Sequence, residues 1–185
     1  MNTLRNLRLK YRSRSGQALV EFMLVALILL VLLFGLIDFS RAISTWQVMV
    51  NISREGSNLA ARGTGASTDS VISNAIGIVI TNAVPLNMLA HGEVIITAVY
   101  NKGGAYVITD QIKEGALPSS VSKIGTLASS NNVTMPFSAT SGGAIPQSNQ
   151  TTFVTEVFYG YSPVTPIGRL VGLTLPSTLY DAAYF

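Results

Sequence analysis

Between Ala18 and Ile37, twenty consecutive residues carry a single charged side chain, Glu21. At about 1.5 Å of rise per residue, such a run makes roughly 30 Å of helix, the thickness of a bilayer's hydrocarbon core. The length specifies a membrane span. The residues before it set its direction. Met1–Gly16 holds five of the chain's twelve basic residues (Arg5, Arg8, Lys10, Arg12 and Arg14) and no acidic one. Positive residues beside a first span stay on the cytoplasmic side, so the rest of the chain is expected outside. The apolar stretch is too long for an ordinary secretory signal, and no Ala-x-Ala site follows it.

Glu21 is costly where it stands. An ionised carboxylate at the centre of a bilayer costs about 2.5–3.5 kcal/mol on insertion scales, and less near an end. Two readings follow. In one, Glu21 snorkels to the headgroups. In the other, the chain is cut after Gly16, and Gln17 becomes an N-terminus with a charged α-amine four residues from Glu21 on the same helix face. The carboxylate then neutralises that amine, or the amine of a neighbouring subunit, and sets the register between apolar helices.

A basic leader ending in glycine, a cut, glutamate at the fifth mature position and a long apolar helix resemble the class III signal of type IV pilins. The string Gly16-Gln17-Ala18-Leu19-Val20-Glu21-Phe22 is similar to that of TadE-like minor pseudopilins of the Tad (tight adherence, type IVb) pilus system. Arg54-Glu55-Gly56, with Ala60-Ala61-Arg62 after it, resembles that family's "AREGAR" segment. Ser122-Lys123-Ile124-Gly125 and Glu156 to Pro163 fit more loosely, and 126–150 is unmatched.

The resemblance implies a pilin-like α+β fold, with a long N-terminal helix packed on a small antiparallel β-sheet. It implies a structural subunit for initiation, priming or the tip of a pilus, held in the inner membrane by one pass, its C-terminal domain extracytoplasmic, and destined for an extracellular pilus. Its partners would be a prepilin peptidase acting between Gly16 and Gln17, other minor pseudopilins and the major pilin, the inner-membrane assembly platform and membrane lipid. No cofactor and no nucleic acid are implied. The chain departs from the common pilin pattern in having no proline within the apolar half of the helix.

Periodicity divides the remainder. The first proline is Pro85, and helical spacing persists from Asp38 to Arg62, so the long helix is expected over 17–62, with 18–37 in the membrane. Ala42, Thr45, Trp46, Met49, Ile52, Ser53, Gly56, Leu59, Ala60 and Gly63 share an apolar face that becomes small toward its end, suited to lying on a sheet. Arg41, Ser44, Asn51, Arg54, Glu55, Asn58 and Arg62 share the other. Gly63-Thr64-Gly65 is a helix stop signal. Within 63–91, Thr68-Asp69 can cap a second helix at about 70–83 carrying the stripe Val71, Ile72, Ala75, Ile76 and Val79.

Residues 92–185 change to β patterning. Strands are expected at 93–100 and 105–111 around the turn Asn101-Lys102-Gly103-Gly104, at 152–161 with Phe153, Thr155, Val157, Tyr159 and Tyr161 on one side, and at a terminal edge, 179–185. The Ser/Asn/Thr/Gly-rich stretch 115–150 reads as a long surface loop holding a short strand near 133–137.

Little in the chain suggests catalysis. His91 is the sole histidine and there is no cysteine, so a multi-histidine or thiolate metal site is excluded, as is a disulfide framework. No Gly-x-Ser-x-Gly elbow is present, and Gly63-Thr64-Gly65-Ala66 lacks the lysine of a phosphate-binding loop. Asp110 and Glu114 read as solvated loop charges, and Tyr159 with Tyr161 as core rather than a stacking platform. The net charge of +3 belongs to the leader: after a cut at Gly16, seven basic against nine acidic residues leave −2, and no basic patch for nucleic acid remains. Two other readings stay open, an uncleaved single-span protein whose outer domain scaffolds a secretion system and a tethered enzyme or small-ligand binder.

Overall fold

The computed structural model describes residues 3–65, 67–117, 120–127, 133, 148–166 and 176–185, with side chains from Gly16 onward. Helix α1 runs unbroken over Thr3–Arg62, through Gly16 and Gln17. Helix α2 spans Thr68–Asn82, and the single turn α3 spans Met88–His91. Four strands follow: β1, Gly92–Lys102; β2, Ala105–Gly115; β3, Thr151–Gly160; and β4, Thr178–Tyr184. Contacts divide the chain into two compact units, Met1–Arg41 with Pro163–Leu175, and Ala42–Ser162 with Pro176–Phe185.

In the second unit the strands form one antiparallel sheet of order β2-β1-β3-β4. β1 and β2 close a hairpin at Lys102↔Ala105, where Gly103 and Gly104 have φ of 63° and 99°. Two successive positive φ values are what a two-residue turn between right-twisted strands requires, and glycine supplies them without strain. The final strand is an edge strand, as its length and composition suggested.

The outer half of α1 and the whole of α2 pack on one face of this sheet. Met49, Ile52 and Ala60 of α1 meet Val71, Ile72, Ala75, Ile76 and Val79 of α2 over Val94, Ile96, Ala98 and Val157. This is an α+β arrangement of the pilin-like kind that the sequence led us to expect. Gly63 is exposed at the end of the expected face, and Trp46 on it is 50% exposed. Trp46 stands at the rim of the stripe, where helical spacing alone does not separate inside from outside. The turn between the helices is tight, since a Cβ on Gly63 would lie 2.3 Å from Val71 Cγ1. Gly63 is thus a packing requirement. Its stop does not use a left-handed φ, because the positive-φ glycines of the described residues lie elsewhere. The cap of α2 is Ser67, one residue before the expected Thr68-Asp69. Ser67 Oγ accepts the Ser70 N–H at 3.3 Å, and Ser70 returns a bond to the cap, a reciprocal box that Thr68 has no partner to form.

The second face of the sheet is also covered, in part by described residues of the stretch expected as a surface loop. β2 continues to Gly115, so Asp110 and Glu114 lie on an edge strand rather than in a loop. Residues 120–127 then fold back as a strap. Ile124 is fully buried against Val99, Ile108 and Val154, with Val133 packed beside them. The rest of the expected strand near 133–137 lies outside the described residues. Glu156, with no exposed surface, holds the strap: one carboxylate oxygen accepts the Lys123 N–H at 2.8 Å and the Tyr180 hydroxyl at 3.0 Å, and the other accepts the Ser122 hydroxyl. Gln111 Nε2 donates to Gly125 O at 3.0 Å, and the Lys123 ammonium sits 3.4 Å from the centre of the Tyr180 ring. Both faces of β3 are buried for this reason, although its residues alternate as if one were open.

Burial, followed by the negative charge of Glu156 and the bond to it, raises the Tyr180 phenol above its ordinary value of 10. A raised value means that the folded state keeps its proton while the unfolded chain releases it. Stability from this group is complete below about pH 10 and is lost as pH climbs beyond it. Alkaline titration followed by tyrosinate absorbance should show one phenol ionising later than the rest. Tyr180→Phe should remove that late step and flatten the alkaline fall in stability.

Candidate functional site

The candidate site is α1 itself, and its two halves meet different demands. From Ala18 to Ile37 the helix is apolar on all sides and open: Phe22 is 72% exposed and Leu36 66%. The hydropathy of its most apolar stretch averages 3.0 with none of it buried, so α1 is long and apolar enough to cross a membrane. Apolar surface of this extent left bare is an unmet need for lipid or for other helices.

Gln17 and Glu21 lie one turn apart, and the bond between them comes from the Gln17 side-chain amide rather than from an α-amine. Gln17 Nε2 donates to Glu21 Oε1 at 3.2 Å along one exposed helix face. The same spacing places an α-amine on Gln17, were the chain to start there, within one helical turn of the carboxylate. Gly16 is exposed, and a Cβ there would meet nothing within 4 Å, so packing does not explain the glycine.

The outer half of α1 is bolted to the sheet through its small and polar residues. Gly56 lies so close to β3 that a Cβ would stand 2.8 Å from Thr155 Oγ1 and 3.2 Å from Val79 Cγ2. Ser57 Oγ accepts the Thr155 N–H at 3.1 Å and donates to Ala183 O at 2.7 Å. Thr155 and Ala183 are register partners, so the helix hydroxyl is inserted between β3 and β4. One turn earlier, the Ser53 hydroxyl bonds to Asp181 of β4. Glu55 Oε1 accepts Asn82 Nδ2 at 2.8 Å and ties α1 to the end of α2. Of the three residues in this motif, Glu55 and Gly56 hold the helices and sheet together, while Arg54 is exposed.

Sequence reasoning placed Arg54, Glu55 and Gly56 but missed Ser57, whose exposure is 0%. It also missed Asp38. That residue is 4% exposed, and its carboxylate accepts the backbone N–H groups of Val164 and Thr165 at 3.0 and 3.2 Å and the Thr165 hydroxyl. His91 ends α3 and is exposed. Tyr159 packs against the main core and Tyr161 is buried, in keeping with a structural reading of both.

Helix α1 thus combines a membrane-length apolar half with an outer half that packs on a small antiparallel sheet. Residues 16–58 match the family model of TadE-like proteins, which covers the apolar run and the outer helix as far as the Gly56–Ser57 seam. The amino-terminal segment is therefore TadE-like, as its residues suggested, and consistent with a protein of a Tad pilus system. No curated protein and no solved structure matches the chain.

The seam makes a direct prediction. Gly56→Ala gains up to about 1 kcal/mol in helix propensity but forces a methyl group into Thr155, an overpacking that costs about 1–3 kcal/mol. The variant should unfold earlier, with a net loss of about 1–2 kcal/mol, whereas Arg54→Ala should stay within about 0.5 kcal/mol of the parent. Thermal unfolding of the full chain in detergent, followed by far-ultraviolet circular dichroism, reads both.

Proposed function

We propose that the protein is a minor pilin or pseudopilin, a structural rather than catalytic subunit acting at initiation, priming or the tip of a Tad-type IVb pilus. The observation that carries this reading is the coincidence of the TadE-like match with the bare apolar length of α1. In this reading a prepilin peptidase cuts between Gly16 and Gln17 and removes the basic leader. The span stores the subunit in the inner membrane with its sheet domain extracytoplasmic. On assembly, neighbouring helices of other pseudopilins and of the major pilin replace lipid around Phe22–Ile37. The inner-membrane assembly platform drives the exchange.

The chemistry of the exchange rests on Glu21. A carboxylate leaving the headgroup region for a bundle of apolar helices needs a cation in hydrogen-bonding range, because unpaired charge in such surroundings costs several kcal/mol. The freed α-amine of Gln17 provides it, from the same subunit or from a neighbour shifted along the bundle axis. Five basic side chains in the leader would be far harder to place among packed helices than one terminal amine, so removing them before assembly has a physical purpose.

The test begins with the membrane form of the protein. Its mass and N-terminal sequence should start at Gln17; a chain starting at Met1 would replace this reading with that of an uncleaved single-span scaffold. Glu21→Ala should still be cleaved yet lower the yield of assembled pili at least severalfold, and normal piliation in that variant would refute the pairing of Glu21 with the terminal amine.

A further inference from the structure

Asp38 is the first residue beyond the apolar run, and it is buried although Ile37 and Phe39 on either side are exposed. The turn Pro163–Pro166 supplies its hydrogen-bond donors, through the three bonds from Val164 and Thr165. Twenty residues fill about 30 Å of hydrocarbon, and the headgroup layer adds about 5–7 Å on each side, or some three to five residues of helix. Residues 38–42 fall in that layer. A turn tied to the Asp38 carboxylate stands at the same depth.

The turn is built for such a place. Its four residues carry only two backbone N–H groups, because Pro163 and Pro166 have none. Both of those N–H groups, and the Thr165 hydroxyl, are given to Asp38. No backbone donor of the turn is left to need water, and Asp38 in turn is satisfied in a layer where an unpaired carboxylate is costly. A loop in open water has no need of this economy. Its outward side chain is apolar: Val164 is 60% exposed, at the level of Phe39, which is 56% exposed. Arg41, exposed one turn further on, is long enough to reach lipid phosphate.

We propose that the Pro163–Pro166 turn is a second membrane contact of this protein, seated among the lipid headgroups beside the end of the apolar run, with Val164 facing lipid and Asp38 holding the turn in place. The contact rests on the reading of 18–37 as a span. It fixes residues 163–166 at the membrane surface, so the protein meets the bilayer at two points far apart in sequence.

The chain has no cysteine, so a single introduced one takes a unique nitroxide label. The full chain, reconstituted in vesicles of phosphatidylethanolamine and phosphatidylglycerol, would carry the label at Val164→Cys, Leu29→Cys or Lys102→Cys. Relative access to oxygen and to a water-soluble nickel chelate gives each label's depth. The Leu29 label should lie deep, the Lys102 label in water, and the Val164 label within about 5 Å of the phosphate level. A Val164 label as open to the chelate as that at Lys102, with Leu29 still deep, overturns the second contact alone. A Leu29 label in water removes the span, and the second contact falls with it. Asp38→Asn should shift the Val164 label toward water and leave the Leu29 label unmoved; an unchanged Val164 depth overturns the role given to Asp38. Should a label at Val164 disturb the turn, Val164→Trp in a Trp46→Phe background replaces it. Its fluorescence should be quenched more by lipids brominated near the headgroup than by lipids brominated at chain ends, and quenching by neither overturns the contact.

Discussion

The fold depends on how closely α1 lies against β3. A helix normally stands off a sheet by the depth of its side chains. Here Gly56 removes one side chain, and Ser57 places a hydroxyl between Thr155 and Ala183, so that the helix joins the ladder of β3 and β4. The insertion satisfies a strand donor and a strand acceptor at once, and a buried main-chain group left without a partner would cost about 1–3 kcal/mol. The remaining contacts follow from that approach. Ser53 reaches Asp181, Glu55 reaches Asn82, and Val79 of α2 closes over Gly56. Without the seam, the outer half of α1 would be an amphipathic helix with no fixed position on the sheet.

The seam also explains why one helix can serve two environments. Between 18 and 37 the side chains are mostly large and, Glu21 apart, apolar all round, as lipid or a bundle of helices requires. From 42 onward the buried face is made of Ala42, Met49, Ile52, Ser53, Gly56 and Ala60, which shrink toward the point of closest approach. The change from large to small residues is the change from a surface that is solvated by hydrocarbon to one that interlocks with a strand. The TadE-like match runs across both halves and ends two residues past Gly56, so it covers the junction of the two designs.

The sequence made the helices and most strands legible because their periods are long and regular. The stripe Val71–Val79 of α2 was buried as its spacing implied, and the turn at Gly103-Gly104 was marked by residues that accept positive φ. Other features were hidden for physical reasons. Asp110 and Glu114 read as loop charges because charges on an edge strand look the same as charges in a turn. The strap at 120–127 has a single large apolar anchor, Ile124, and is held otherwise by hydrogen bonds, which leave no hydrophobic pattern. Ser57 was invisible for the same reason: a serine read from sequence is a polar surface residue until a strand is brought within 3 Å of it.

Acidic residues do much of the holding in this molecule. Asp38, Glu93 and Glu156 are each less than 5% exposed, so the scarcity of surface charge comes from burial as well as from the apolar helix. Each acceptor with bonded partners secures a segment distant in sequence. Asp38 holds the turn at 163–166, Asp181 holds α1 through Ser53, and Glu156 holds the strap through Ser122 and Lys123. A chain without cysteine has no covalent means of making such links. Charge-assisted hydrogen bonds to backbone N–H and hydroxyl donors are stronger than neutral ones, and their geometry is directional. Glu93 shows the limit of the device. One of its oxygens has no hydrogen-bond partner among the described residues, and the Lys113 ammonium stands 3.9 Å away on the exposed edge strand. Where donors converge, the carboxylate fixes a loop; where a single flexible cation is offered, it yields only a loose pair. Among the described residues, the strap and the 163–166 turn are therefore placed by the acids that have several donors, Glu156 on one face of the sheet and Asp38 at the end of the apolar run.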